Sequence, residues 1–330
     1  MKDTAESARA VTLHNGVTMP TLAFGCAFGD WVGTTEFQGF LPEQAWRAVS
    51  LALDSGYRAF DGARAYGTER IVGTLLGQRF ASGELTRDEL FITTKLAHPA
   101  APPHINISHR RTWDADKVDD IARKVRDDMV DTLDDLGLGY VDLLLMHWPG
   151  GFEQHTSSDP DFPRKARATI WRAFCALADK GAARAIGVSN FTITHLRQLM
   201  EDIPEPERRP TVNQIEIHPY CRDPDLESFC RDQGIVVTAY APFASGAFGM
   251  LQDPALATIA ERHGKTSGQV VLRWHVQSGR TALPKTTKAQ RMAQNRDIYD
   301  FELSDEEMRT IDALGAAEAR RTCPDPSTVA

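Results

Sequence analysis

Apolar residues recur along the chain with two spacings that take turns. Ala45, Val49, Ala52 and Leu53 share one helical face, with Pro42 suited to a first turn and Gly56 to an exit. The same period predicts a helix over 69–80 and a long amphipathic one carried by Val118, Ile121, Val125, Met129, Leu133 and Leu136. Between these helices lie short runs of strand formers at 91–95 and 141–147. Farther on, helix and strand alternate as 168–180, 183–189, 192–201, 211–217, 224–233 and 235–240. Helices near 254–263 and 267–278 then precede a last strand at 281–284. Near the start, 11–20 reads as a hairpin in which Asn15 and Gly16 supply the positive φ angles of a tight turn. The alternation predicts a parallel sheet, and eight strands follow the hairpin.

Three segments break the pattern. Residues 26–41 form an aromatic, glycine-bearing loop, long for a strand-to-helix connection. Residues 96–116 turn to Pro, His, Arg and Asn without periodicity, and another irregular stretch runs from His147 to about Pro163. At the far end, Ser304 and Glu307 fit a capping box, and 316–330 is small, polar and proline-bearing.

Asp61, Lys95 and His147 each close a predicted strand, and Tyr66 follows Asp61 at five residues. In a parallel α/β barrel the strand ends converge on one face, so the four can form one site. A phenol is a poor acid at its usual pKa of roughly 10, and a nearby ammonium lowers that value. Singly, each residue has a plain structural role: a helix cap, a packed ring, a surface charge, a satisfied histidine.

With their spacing they resemble the aldo-keto reductase family, in which glycine, an aromatic residue and arginine precede the aspartate, and tyrosine follows five positions on. Gly56, Tyr57, Arg58, Asp61 and Tyr66 carry that pattern here. It continues in Lys95 after its threonines, in His147-Trp148-Pro149, in Gly187-Val188-Ser189-Asn190-Phe191, and in Asn213-Gln214-Ile215-Glu216-Ile217-His218-Pro219. The likeness covers about nine tenths of the chain. It implies a (β/α)8 barrel with an N-terminal hairpin on its floor and two extra C-terminal helices. The chain would be a single domain, with 1–10 a flexible tail and 316–330 a tail over the pocket.

The same resemblance implies NADPH as cofactor, consistent with the absence of any G-x-G-x-x-G. Ser189, Asn190 and Gln214 would hold the nicotinamide carboxamide, Tyr240 would stack on its ring, and Gly25, Cys26, Ala27, Asp61, Ala241 and Phe243 would lie along the cofactor. Lys285, Thr286, Thr287, Arg291, Gln294 and Asn295 cluster at a strand end and helix start, where free N–H groups, hydroxyls and cations suit a phosphomonoester. Gln294 stands where the family often has glutamate. Tyr66 would be the proton donor, Lys95 would lower its pKa, Asp61 would hold Lys95, and His147 would orient the carbonyl. Ala27 and Ala97 occupy positions where the family commonly has aromatic residues, which predicts room for a bulky carbonyl or alcohol. Trp148 would be one apolar wall, with Phe28 and Trp31 as mobile ones.

Composition limits the alternatives. At 330 residues, with 42% hydrophobic and 25% charged side chains, the chain has material for one large core. A net charge of −8 without any basic run argues against nucleic acid as a partner. The five cysteines are odd in number and scattered, which predicts reduced thiols in a cytoplasm; no apolar h-region or membrane span is present in the sequence. A monomer is expected from the resemblance. Two other classes stay open at this stage: a nicotinamide-binding regulatory subunit of the same fold, and a metal-dependent barrel hydrolase. His98, His104, His109 and His147 match no ligand spacing, so no metal is expected.

Overall fold

The structure, a computed structural model, describes residues 9–32, 36–38, 41–96, 118–150, 159–316 and 319–329. Strands β1 (Ala10–Thr12) and β2 (Thr18–Pro20) pair antiparallel with Val11 opposite Met19. The turn between them differs from the tight one expected. Of its central pair only Gly16 has a positive φ, at 84°. Leu13 N–H donates to Val17 O at 2.9 Å, so the loop is longer than two residues. Asn15 does another job: its amide donates to Arg184 O at 3.0 Å and ties the hairpin to the barrel.

Strand β3 (Phe24–Gly25) opens the barrel, and the long loop expected after it contains a small antiparallel ribbon, β4 (Asp30–Val32) with β5 (Glu36–Gln38). The other barrel strands are β6 (Ala59–Asp61), β7 (Phe91–Leu96), β8 (Val141–Met146), β9 (Ala183–Ser189), β10 (Val212–Glu216), β11 (Val236–Tyr240) and β12 (Thr281–Ala282). They form one eight-stranded parallel sheet in chain order. The first and last strands meet: Ala23 N–H donates to Ala282 O at 3.1 Å, Ala282 N–H to Thr21 O at 2.9 Å and Gly25 N–H to Pro284 O at 3.1 Å. The sheet is therefore closed into a (β/α)8 barrel, with ten α-helices among the described residues, two more than the eight strands require.

Inward side chains of the strands, including Phe91, Leu143, Leu145 and Val212, pack with Leu13 and Met19 of the hairpin, so the hairpin plugs the barrel floor. A second, larger apolar layer fills the space between strands and helices, with Trp171, Phe174 and Trp274 fully buried in it. Strands buried on both faces read as apolar runs, and in β8 that run is interrupted by Asp142, whose buried carboxylate pairs with Arg87 and Arg184. The helix Phe162–Asp179 begins six residues before the expected start at 168, because Pro163 sits in its first turn, where the missing N–H does no harm. Ser304 caps the helix Asp305–Ala313, with Glu307 completing the capping box as predicted.

One helix contact admits no side chain. A Cβ on Gly73 of the helix Glu69–Ala81 would lie 2.5 Å from the Asp135 carbonyl oxygen and 2.6 Å from the Leu136 backbone. Gly73→Ala must push the helix Val118–Leu136 away, at a cost of about 1–3 kcal/mol. We expect a lower midpoint in denaturant titration with an unchanged slope; a midpoint at or above wild type would show that the two helices separate freely.

Candidate active site

Asp61 is the last residue of β6, Lys95 the fifth of β7, and His147 follows directly on β8, so parallel pairing of these three strands sets their side chains at one end of the barrel. Tyr66 reaches them from a single 3-10 turn, Arg64–Tyr66, closed by Gly67 at a φ of 66°. The Lys95 ammonium is fully buried and donates to Asp61 Oδ1, to Gly62 O at 2.8 Å and toward the Tyr66 hydroxyl at 3.4 Å. The His147 ring stands edge-on to the Tyr66 ring, with centroids 5.6 Å apart at 82°. All four expected chemical residues meet in the fold.

Their charges follow from burial and neighbours. Burial raises the Tyr66 phenol above its ordinary pKa, the Lys95 ammonium draws it back, and Asp61 pushes it up again. The expected lowering by Lys95 is present but does not prevail, because the ring is shut away from water. Burial draws Lys95 down, and Asp61 with Tyr66 more than reverse this, so the ammonium stays charged. Burial, helped by the Lys95 charge, takes His147 well below the ordinary histidine range, leaving a neutral ring whose Nδ1 is buried with no hydrogen-bond partner.

The second oxygen of Asp61 accepts from Gln214 Nε2 at 2.7 Å. Gln214 thus reaches the ion pair with its amide nitrogen, which leaves its oxygen for a donor from outside. Ser189 Oγ donates to Gln214 O at 2.8 Å, Asn190 Nδ2 donates to Ser189 Oγ at 3.1 Å and to His147 O at 3.0 Å, and Tyr240 donates to Asn190 Oδ1 at 2.8 Å. Asn190 holds a φ of 63° and Ala241 one of 47°, left-handed values that non-glycine residues take at some expense. Both lie directly after strands that face the cluster. Phe243, farther along the same loop, is half-buried against the core.

Around β3 and β12 the remaining residues form a rim. Gly25 approaches Lys285 Cβ, Cys26 N–H donates to Asp61 O at 2.9 Å, and Lys285 Nζ donates to Ala27 O at 2.8 Å. The Cys26 thiol is buried, and burial raises its pKa, so it is an inert part of the core. Thr286 Oγ1 accepts from Lys288 N–H at 3.2 Å, just before the helix Ala289–Arg296. That helix has no side-chain cap, so its first N–H groups are open. Thr287, Lys288 and Arg291 are exposed there and Gln294 is half-exposed; Asn295 turns inward against Tyr57.

One pocket expectation changes. Phe28 is 1% exposed and packs 6.3 Å from the Phe24 ring centroid, so it is a core residue and not a mobile wall. Trp148 is buried at 5% exposure. The Trp31 side chain and Ala97 lie outside the described residues, as do His98, His104 and His109. No group of three His, Cys, Asp or Glu suited to a metal occurs among the described residues.

Glu216 and the C-terminal tail, for which no local pattern announces a polar partner, are a prominent feature of this end. Glu216 Oε1 accepts from both Thr322 N–H and Thr322 Oγ1 at 2.6 Å, and Oε2 accepts from Cys323 N–H at 3.2 Å. His218 Nε2 lies 3.2 Å from Oε1 and Arg321 3.8 Å from Oε2. Burial works against the Glu216 carboxylate, but the bonds from His218 and Thr322 hold it below the ordinary carboxylate range. Farther on, the Val329 carbonyl meets His195 Nε2 at 3.1 Å. The Cys323 thiol reaches Tyr240, and burial pushes it up to about 12. One signal pointed there: Glu216 lies two residues beyond Gln214, so both face the same side of β10.

Comparison with known proteins identifies the family. Residues 26–316 match the sequence profile of the Aldo/keto reductase family. The chain is 36% identical to aldo-keto reductase family 1 member A1-A of Danio rerio, over 93% of this chain and 90% of the relative. It is 36% identical to glyoxal reductase of Bacillus subtilis (strain 168), over 96% of this chain and 95% of the relative. Among solved structures, Bombyx mori aldo-keto reductase in complex with NADP superposes with a TM-score of 0.75 at 32% identity, covering 92% of each chain. An aldo/keto reductase from Brucella melitensis gives a TM-score of 0.73 at 30% identity, over 92% of this chain and 98% of the other. With the barrel and these matches in agreement, the chain belongs to the aldo/keto reductase family.

Proposed function

We propose that the protein is an NADP(H)-dependent reductase of aldehydes or ketones, in which Asp61, Tyr66, Lys95 and His147 carry the proton chemistry. The observation that carries this is the Lys95 ammonium, buried between the Asp61 carboxylate and the Tyr66 hydroxyl. Such a contact has no structural need for a phenol. When bound, NADPH supplies a hydride to the carbonyl carbon. Tyr66 donates its proton to the carbonyl oxygen, so a full negative charge does not build up there. Lys95 stabilises the phenolate left behind, Asp61 and Gln214 hold Lys95 in place, and the neutral His147 has one N–H with which to orient the oxygen. In the oxidative direction Tyr66 is the base.

The residues fit the cofactor at both ends. Ser189, Asn190 and the free oxygen of Gln214 offer hydroxyl and amide groups to a carboxamide, beside the ring of Tyr240 and the backbone of Ala241 and Phe243. At the other end, the uncapped helix start and Arg291, without a carboxylate partner among the described residues, suit a phosphomonoester, together with Lys285, Thr286 and Thr287. Gly25, Cys26 and Ala27 would line the path between, with Gln294 and Asn295 nearest the adenosine. Arg291→Gln should weaken NADPH binding about tenfold and leave NADH unchanged, since it removes one charge-assisted contact. Fluorescence titration with both cofactors measures this; equal losses for the two would place the phosphate elsewhere.

We read the chain as one barrel domain whose residues 319–329 wall the pocket through Glu216, with Trp148 on the apolar side. The small side chain of Ala27 favours a bulky carbonyl, and the tail's Thr322 and Cys323 set how much of that room is left. Five free cysteines support a reducing, cytoplasmic setting, and the family resemblance supports a monomer. No described helix is long and apolar enough to cross a membrane. The relatives named above are reductases, and no observation favours the regulatory reading. The direct test is NADPH oxidation with a small aldehyde and a bulky ketone. Tight NADPH binding without turnover of any carbonyl would overturn the proposal.

A further inference from the structure

The end of the barrel opposite the catalytic residues holds an open cavity of about 150 Å³ beside the hairpin. Arg9, Arg58 and Arg296 line it, with Tyr57 and Tyr299. The Arg9 guanidinium lies 4.5 Å from the Tyr299 ring centroid, and that of Arg296 5.8 Å from the Tyr57 centroid. Arg58 Nη1 donates to Tyr57 O at 2.9 Å and Leu53 O at 3.4 Å, and Arg296 Nη1 donates to Ser55 O. These bonds close the C-terminal end of the helix Pro42–Asp54 and engage one nitrogen of each guanidinium. The remaining N–H groups of a planar, five-donor fork are left over.

None of the three meets a carboxylate at ion-pair distance among the described residues. The contrast within the molecule is plain: Arg79, Arg87, Arg164 and Arg280 each pair with a carboxylate, in a chain whose net charge is −8. Glu89 is the carboxylate that feels Arg58, and it is held by the Thr86 N–H and hydroxyl instead. Three cations held by rings and carbonyls around one cavity, with donors to spare, match the oxygens of a tetrahedral oxyanion. We infer that Arg9, Arg58 and Arg296 form a phosphate-binding site on the floor of the barrel, separate from the cofactor site.

Inorganic phosphate is the probe, and its binding to the full chain is read by calorimetry and by the rise in melting temperature at constant ionic strength. Arg9→Gln, Arg58→Gln and Arg296→Gln should each weaken phosphate binding about tenfold, while Arg291→Gln, in the first turn of the helix that ends in Arg296, leaves the floor component unchanged. Arg9 is exposed and its guanidinium bonds no backbone group among the described residues, so its variant folds even if the helix-capping ones do not. Crystals soaked in tungstate add a reading that needs no variant: the anion should appear among the three guanidiniums. Phosphate binding abolished by Arg291→Gln alone, or tungstate confined to the start of that helix beside Lys288 and Arg291, would overturn the inference.

Discussion

Tyr66→Phe should lower the rate of carbonyl reduction by about 10²- to 10⁴-fold while changing NADPH affinity little. The substitution removes one oxygen, whose close polar neighbour among the described residues is the Lys95 ammonium at 3.4 Å, and leaves the ring against His147 in place. Folding should therefore be close to unaffected, and the loss should appear in kcat rather than KM, as expected for a group that acts at the developing oxyanion. The pH dependence carries a second mark. Burial holds the phenol above its ordinary pKa, so the proton is present through the neutral range. Reduction should stay flat there and fall only in strongly alkaline solution, whereas oxidation, which needs the phenolate, should rise with pH over the same interval. A variant that keeps its rate, or a wild-type reduction profile that falls near neutrality, would remove Tyr66 from the role of acid.

How much of this site could be read from the chain depends on how local its causes are. Strand ends are local: Asp61, Lys95 and His147 each close an apolar run, and parallel pairing in register brings them together without further information. The eight-strand count was legible for the same reason. The Asn15–Gly16 turn was misread because Asn15 serves a distant carbonyl, that of Arg184, which no local pattern announces. Phe28 was placed in the pocket because its neighbours look like a loop, yet Phe24 and the helix Pro42–Asp54 offer it a core. The grip of Glu216 on Thr322 and Cys323 spans more than a hundred positions and rests on one buried carboxylate. Composition at 316–330 looks like that of an unfolded end. Contacts with Glu216, Tyr220 and His195 supply the energy that the tail's own residues lack.

Lys95→Met separates what the buried ion pair does for stability from what it does for chemistry. Removing the ammonium leaves the Asp61 carboxylate 4% exposed, with Gln214 as its remaining side-chain donor, and an unpaired buried charge costs about 3–5 kcal/mol. The methionine fills a similar volume, so a cavity adds little. We expect a large fall in the denaturation midpoint and at least a hundredfold loss of reduction, since the phenolate formed in proton transfer loses its counter-charge. The double variant Asp61→Leu/Lys95→Met replaces the whole pair by apolar side chains and should recover much of the stability, because neither charge is then stranded. It should recover none of the activity. Comparison of the single and double variants by denaturant titration and by NADPH oxidation reads both effects in the same proteins. Activity that returned along with stability would mean that the pair merely shapes the barrel end. Activity that stays lost in a restored fold would assign to the Lys95 charge a direct part in the transfer of the Tyr66 proton.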